Sequence, residues 1–131
     1  MKLIFAAEDT VVGIICGLLL IGFTGTFFSL KLSDIIYVIA FIIYAFFILL
    51  DIFNEMRDLT THFGFIMFSL LHSLADLLIA LTAISHFSGW SMPYITSVFV
   101  PYLQNASMML YAGIFLVVGN VIWLVLYPFL D

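Results

Sequence analysis

Four long runs of apolar side chains, at about residues 11–30, 34–53, 63–87 and 103–127, decide what this chain can become. A helix needs about 20 apolar residues to cross about 30 Å of hydrocarbon, and each run reaches or approaches that length. The second contains the barest stretch, IIYVIAFIIYAFFILL at residues 35–50, without one charged side chain. No ten-residue alternating segments occur, so helices rather than a closed barrel must satisfy the backbone in lipid. Composition agrees. Hydrophobic residues make up 66% of the chain and charged residues 8%, against roughly 45–50% and 25% in soluble domains. Too few polar residues remain to cover a surface facing water. The expected fold is an all-α integral membrane protein, one domain over residues 1–131, with four transmembrane helices in a bundle.

The ends of the runs carry boundary signals. The opening MKLIFAAEDT has only five apolar residues before Glu8, short of the roughly 7–15 of a signal-peptide core. It reads as a lead-in, with Glu8, Asp9 and Thr10 at the positive end of the first helix. Ser33 and Asp34 cap the second helix, and Gly89 is placed as the residue just past the third. The fourth is expected to stop at Pro128. In DIFNEMRDLTTH, Asp51, Glu55 and Asp58 share one helical face, opposite Ile52, Met56 and Leu59. The second helix is therefore expected to continue as an amphipathic extension whose acids are solvated. Divalent cations want ligands converging from several directions, so no metal site is assigned to these acids. The uncharged SGWSMPYITSVFVPY places Trp90, Tyr94 and Tyr102 where aromatic residues favour the headgroup level. One helix from Pro93 to Tyr127 would be about 50 Å long, more than a bilayer needs. A short interfacial helix between spans three and four, with a turn at Pro101, is expected instead.

Charge and cysteine usage exclude several function classes. Lys2, Lys31 and Arg57 are scattered, and the net charge is −5, so neither nucleic acid nor anionic phosphate is an expected partner. Cys16 is the sole cysteine, which excludes an internal disulfide, a C-x-x-C redox pair and electron relay through cysteine pairs. It reads as a small packing residue. With four spans, Lys2 and Arg57 share one side and Lys31 the other, a two-to-one excess that places both termini in the cytoplasm. The sequence has no G-x-S-x-G, no H-E-x-x-H and no phosphate-cradling glycine loop, and no enzymatic activity is expected.

Lipid does not drive helices together by hydrophobicity, so small and polar faces mark where spans meet. Gly13 and Gly17 form G-x-x-x-G in the first span, with Gly22, Gly25, Thr26 and Ser29 as a second small or polar surface. Tyr37, Tyr44 and Asp51 recur at heptad spacing in the second, as do Ala106, Gly113 and Asn120 in the fourth. In the third, His62, Ser69, His72, Ser73, Asp76, Ala80 and Ala83 form a stripe opposite Leu70, Leu74, Leu78 and Leu81. These faces are expected to converge on a polar site made of His72, Asp76, Tyr44, Asn120 and Ser69.

Asp76 falls near the bilayer midplane, where an aspartate costs about 2.5–3.5 kcal/mol on insertion scales. His72 is one turn away. Desolvation favours the neutral form of each group, while their attraction favours the ion pair, leaving two states that differ by the position of one proton. Haem would need His72 and His86 each to find a second ligand, and the other three spans contain no histidine, so no cofactor is assigned. The leading expectation is a non-enzymatic accessory or scaffold subunit, packing through its first span into a homo-oligomer or a larger membrane complex. The alternative is a proton- or ion-handling membrane protein using the His72/Asp76 pair.

Overall fold

The structure, a computed structural model, describes residues 2–57 and 63–130, with side chains for 10–54, 67 and 69–125. His62 and Asp58, and the side chain of Glu55, lie outside that set. Helices form nearly all of it: α1 (Lys2–Thr24), α2 (Asp34–Arg57), α3 (Phe63–Ser88), a π-helical turn (Ile95–Phe99), α4 (Val100–Leu103) and α5 (Ala106–Leu130). No strand occurs among the described residues. Three stretches are long and apolar enough to cross a membrane, Asp34–Asn54, Ser69–Ser88 and Ala106–Val125, and Thr10–Thr24 is a shorter apolar helix.

Helix α1 departs from the sequence expectation at both ends. It begins at Lys2, so Glu8 and Asp9 lie within the helix instead of at its positive end. The lead-in KLIFAA is made largely of good helix formers and simply joins it. It stops at Thr24, six residues before the apolar run ends at Leu30. Gly25 takes φ +73°, a left-handed conformation that glycine adopts without steric penalty. The chain then folds back, with Leu30 N–H donating to the Gly22 carbonyl at 3.0 Å. Gly25, Thr26 and Ser29 are thus loop residues and not a helix face, while Gly22 is covered by Phe28 and Leu30. The Tyr37 hydroxyl pins this loop by donating to Leu30 O at 3.0 Å and accepting from Leu32 N–H at 3.2 Å.

Helices α2 and α3 begin where expected, and α2 continues past Phe53 to Arg57 as its amphipathic end implies. Gly89, at φ +73°, closes α3 with its N–H on the Ser85 carbonyl at 2.9 Å. In the connection that follows, the Ser85 hydroxyl donates to Trp90 O and meets Thr96 Oγ1, both at 2.7 Å. The expected turn at Pro101 is absent. Pro101 sits in the first turn of α4, where its missing N–H costs nothing. The break comes at Asn105, whose Oδ1 accepts from Ser107 N–H at 2.9 Å and caps α5. Helix α5 accordingly begins at Ala106 and runs two residues beyond Pro128, losing one backbone hydrogen bond near its end. Asn105→Ala should cost about 1 kcal/mol, read as a lower melting temperature in detergent; an unchanged melt would remove Asn105 as the cap.

Helix α1 packs closely against α5, and α2 packs closely against α3 and, less extensively, α1. The α1–α5 contact is set by glycine. A Cβ on Gly17 would stand 2.7 Å from the Gly113 carbonyl oxygen, and one on Gly113 would stand 2.8 Å from that of Gly17. The core between the helices holds Cys16, Leu20, Tyr37, Phe41, Tyr44, Ile48, Ala80, Ala83 and Leu116. At one end Tyr37 stacks on Phe87 with centroids 4.4 Å apart, and Phe23 meets both rings edge-on. Burial is inverted relative to a soluble protein. Ser69, Ser73, Asp76 and Asn120 are inside, while Ile39, Ile43, Phe46, Leu71 and Val118 point out. That distribution suits a chain whose surrounding solvent is hydrocarbon.

Candidate functional site

The register of α3 creates the site. Ser69, Ser73, Asp76, Ala80 and Ala83 recur at three- and four-residue intervals and are all buried, whereas Leu71 and Leu74 face outward. Asp76 is only 3% exposed. One turn earlier, His72 turns its Nδ1 to Asp76 Oδ2 at 3.2 Å, the separation expected of an i,i+4 pair on one helical face.

Two neighbouring helices supply the rest of the cluster. From α5, Asn120 Nδ2 donates to its own Leu116 carbonyl at 2.6 Å and to the Tyr44 hydroxyl at 3.2 Å. From α2, the Tyr44 hydroxyl in turn donates to the Asp76 carboxylate. The result is a chain of donors, Asn120 to Tyr44 to Asp76, that joins His72 in holding the carboxylate, with Oδ1 left over. Helix α1 contributes by omission: Gly13 lies against the Asn120 amide, and any side chain there would collide with it. His72, Asp76, Tyr44 and Asn120 therefore meet. Ser69 is buried two turns from Asp76 on the side of the α2–α3 connection.

The imidazole has a seat of its own on α5. Its ring stacks on Phe115 with centroids 5.6 Å apart and meets Trp123 at 5.8 Å. Between these rings, one turn from each, is Gly119, and a Cβ there would lie 2.6 Å from His72 Nε2. Phe115, Gly119 and Trp123 thus form a slot for one ring. None of the three was singled out by the sequence, although a glycine flanked by aromatic residues at four-residue intervals marks such a slot.

A second carboxylate belongs to this region. Asp51, which the sequence places both among the acids of the α2 extension and at heptad spacing from Tyr37 and Tyr44, is half-buried and accepts a hydrogen bond from the Ser73 hydroxyl at 3.5 Å. The heptad spacing from Tyr37 and Tyr44 is the signal that carries it, because it puts Asp51 on the same face of α2 as those two buried rings. Lys31, the one lysine or arginine whose side chain is among those described, lies over the Phe23 ring, 5.8 Å from its centroid. Two polar atoms at the centre are buried without a hydrogen-bond partner, His72 Nε2 and Asp76 Oδ1.

Chemically, the pair can hold one proton in either of two places. Carried by Asp76 it leaves both groups neutral; carried by His72 it makes an ion pair. The 3.2 Å separation permits direct transfer between them, within the reach of general acid–base exchange. His86, by contrast, is a separate residue at the far end of α3, packed edge-on against Phe87. No protein-family model matches the chain, and neither a curated protein nor a solved structure is similar to it.

Proposed function

We propose that this chain is a non-enzymatic, four-span membrane protein that binds and passes a proton at its His72/Asp76 pair. The observation that carries the reading is the incomplete bonding of Asp76. One of its oxygens has no partner, although the residue is only 3% exposed. A polar cluster that served packing alone would be expected to close on itself, since a half-satisfied buried network is less favourable than an apolar core. Buried ionisable groups in spans are retained mainly where they do chemistry. A proton fits the donor set better than a metal, because among the described residues no three His, Cys, Asp or Glu side chains are grouped as ligands.

The fourth span is α1. Its 23 residues extend about 34 Å, and it lies along α5 through Gly13 and Gly17. Four spans form a bundle and put both termini on the side of Arg57, with Lys31 opposite. The excess of basic residues assigns the termini to the cytoplasm, and the α4 region becomes the interfacial segment between the last two spans.

A second reading is an accessory or scaffold subunit of a homo-oligomer or larger membrane complex. It ranks second because Gly13 and Gly17, the surface on which it leaned, are covered by α5 of the same chain. Its measurement is mass and co-migrating protein after purification in gentle detergent. For the proton reading, the purified protein is placed in vesicles loaded with a pH-sensitive dye, and a potassium gradient with valinomycin supplies the driving force. Lumenal pH should change faster than in protein-free vesicles. Equal rates would end the proton reading.

A further inference from the structure

We infer that Asp51, acting through Ser73, is the group that connects Asp76 to one membrane face, the face where α2 ends and α3 begins. The inference rests on the proton reading and assigns its route. Depth along the helices supports it. Asp51 stands six residues before the end of α2 at Arg57, about 9 Å from that end. Asp76 stands 13 residues into α3, about 20 Å deep. Between them lies Ser73, one turn from Asp76 on the same buried face, with its hydroxyl on Asp51 Oδ2 at 3.5 Å.

The direction is set by what lies on either side. Toward the α2–α3 connection, the buried face of α3 continues with Ser73 and Ser69. Toward the opposite face, it continues with Ala80, Ala83 and Ile84 and ends under the Tyr37–Phe87 stack. The hydroxyls described at that end are bonded locally: Thr82 to the Leu78 carbonyl, Tyr37 to that of Leu30, Ser88 to that of Ile84, and Ser85 to the Trp90 carbonyl and Thr96. On the face of α3 that carries Asp76, the described serines therefore lie on the side of the α2–α3 connection and the alanines on the other. Passage across the whole protein requires the aromatic layer to yield, which makes it a gated step.

A serine hydroxyl donates and accepts at once, so it can relay a proton without becoming charged. The proton leaves the Asp51 carboxyl for Ser73 Oγ as the serine's own proton moves to Asp76 Oδ1. Rotation of the Asp76 carboxyl brings that proton to the position facing His72, and it passes to Nδ1. One positive charge moves inward, no bond other than O–H and N–H changes, and no oxidant or reductant is needed. Closing the gap between Ser73 and Asp76 takes a rotamer change of the serine or one bridging water. Among the described side chains, the ionisable or polar groups along this route are Asp51 and Tyr44 from α2, Ser69 and His72 from α3 and Asn120 from α5.

The test uses the full chain in dye-loaded vesicles. Asp51→Asn and Ser73→Ala should each slow proton movement at least about tenfold, the scale of a lost proton-transfer group. Asp51→Glu and Ser73→Thr, which keep the carboxyl and the hydroxyl, should retain most of the rate. Circular dichroism melts identify a variant that fails to fold, in which case the other position decides. Wild-type movement with both Asp51→Asn and Ser73→Ala overturns the route and leaves the proton reading standing. A wild-type protein no faster than empty vesicles overturns the proton reading and the route with it.

Discussion

Asp76→Asn should reduce proton movement in vesicles to the protein-free rate, a loss of about 100-fold or more for an obligatory proton carrier. The amide has nearly the shape of the carboxylate it replaces. It can still accept from Tyr44 and stand beside His72, but it cannot take up and release a proton. Stability gives the complementary reading. A midplane aspartate is costly, about 2.5–3.5 kcal/mol on insertion scales, and the neutral amide escapes most of that. The variant should therefore melt no lower than the wild type. If Asp76 were only a fastening between helices, the outcome would reverse: a lower melt, with no proton movement in either protein. A variant that still moves protons at the wild-type rate would remove Asp76 from the mechanism.

The largest structural effect is expected at Gly17. Gly17→Val would place its Cβ about where the Gly113 carbonyl oxygen and the Val117 side chain already are, 2.7 Å from each. A carbonyl in the middle of a helix cannot rotate away, so α1 and α5 must separate along their length. Overpacking of this kind costs about 1–3 kcal/mol, and the upper end applies because backbone obstructs it. The damage extends to the site, since Gly13 is on the same face and holds Asn120 against Tyr44. The melting temperature should fall by several degrees, with loss of proton movement even where the chain remains helical. An unchanged melt would mean that α1 and α5 do not approach as closely as the glycines imply.

Much of this was legible from residue spacing. Heptad recurrence placed Tyr44 and Asn120 on inward faces, and the stripe on α3 brought His72 and Asp76 with them, because side-chain direction on a helix follows from its period alone. The ends of α2 and α3 were legible for a similar reason: Asp34 and Gly89 are local signals for local geometry. Other features were not. The apolar run in residues 25–30 continues without interruption, so hydropathy does not register that Gly25 turns the backbone away. Pro101 looked like a break because a proline's cost depends on its distance from the helix start, which the sequence does not state. The partner of Gly13 and Gly17 is a property of the assembled fold. Asp51 belongs to two patterns at once, the acids Glu55 and Asp58 and the heptad of Tyr37 and Tyr44, and spacing alone does not say which of them the fold uses.

One feature of the α3–α5 boundary has a mechanical corollary. The backbones of these two helices approach closely at few points, and among the described residues the His72 ring spans the gap, lodged among Phe115, Gly119 and Trp123. That ring is also the one that would gain or lose charge. Fastener and titrating group are then the same atoms, so each protonation event would tug directly on the seam between two helices, with no intervening lever.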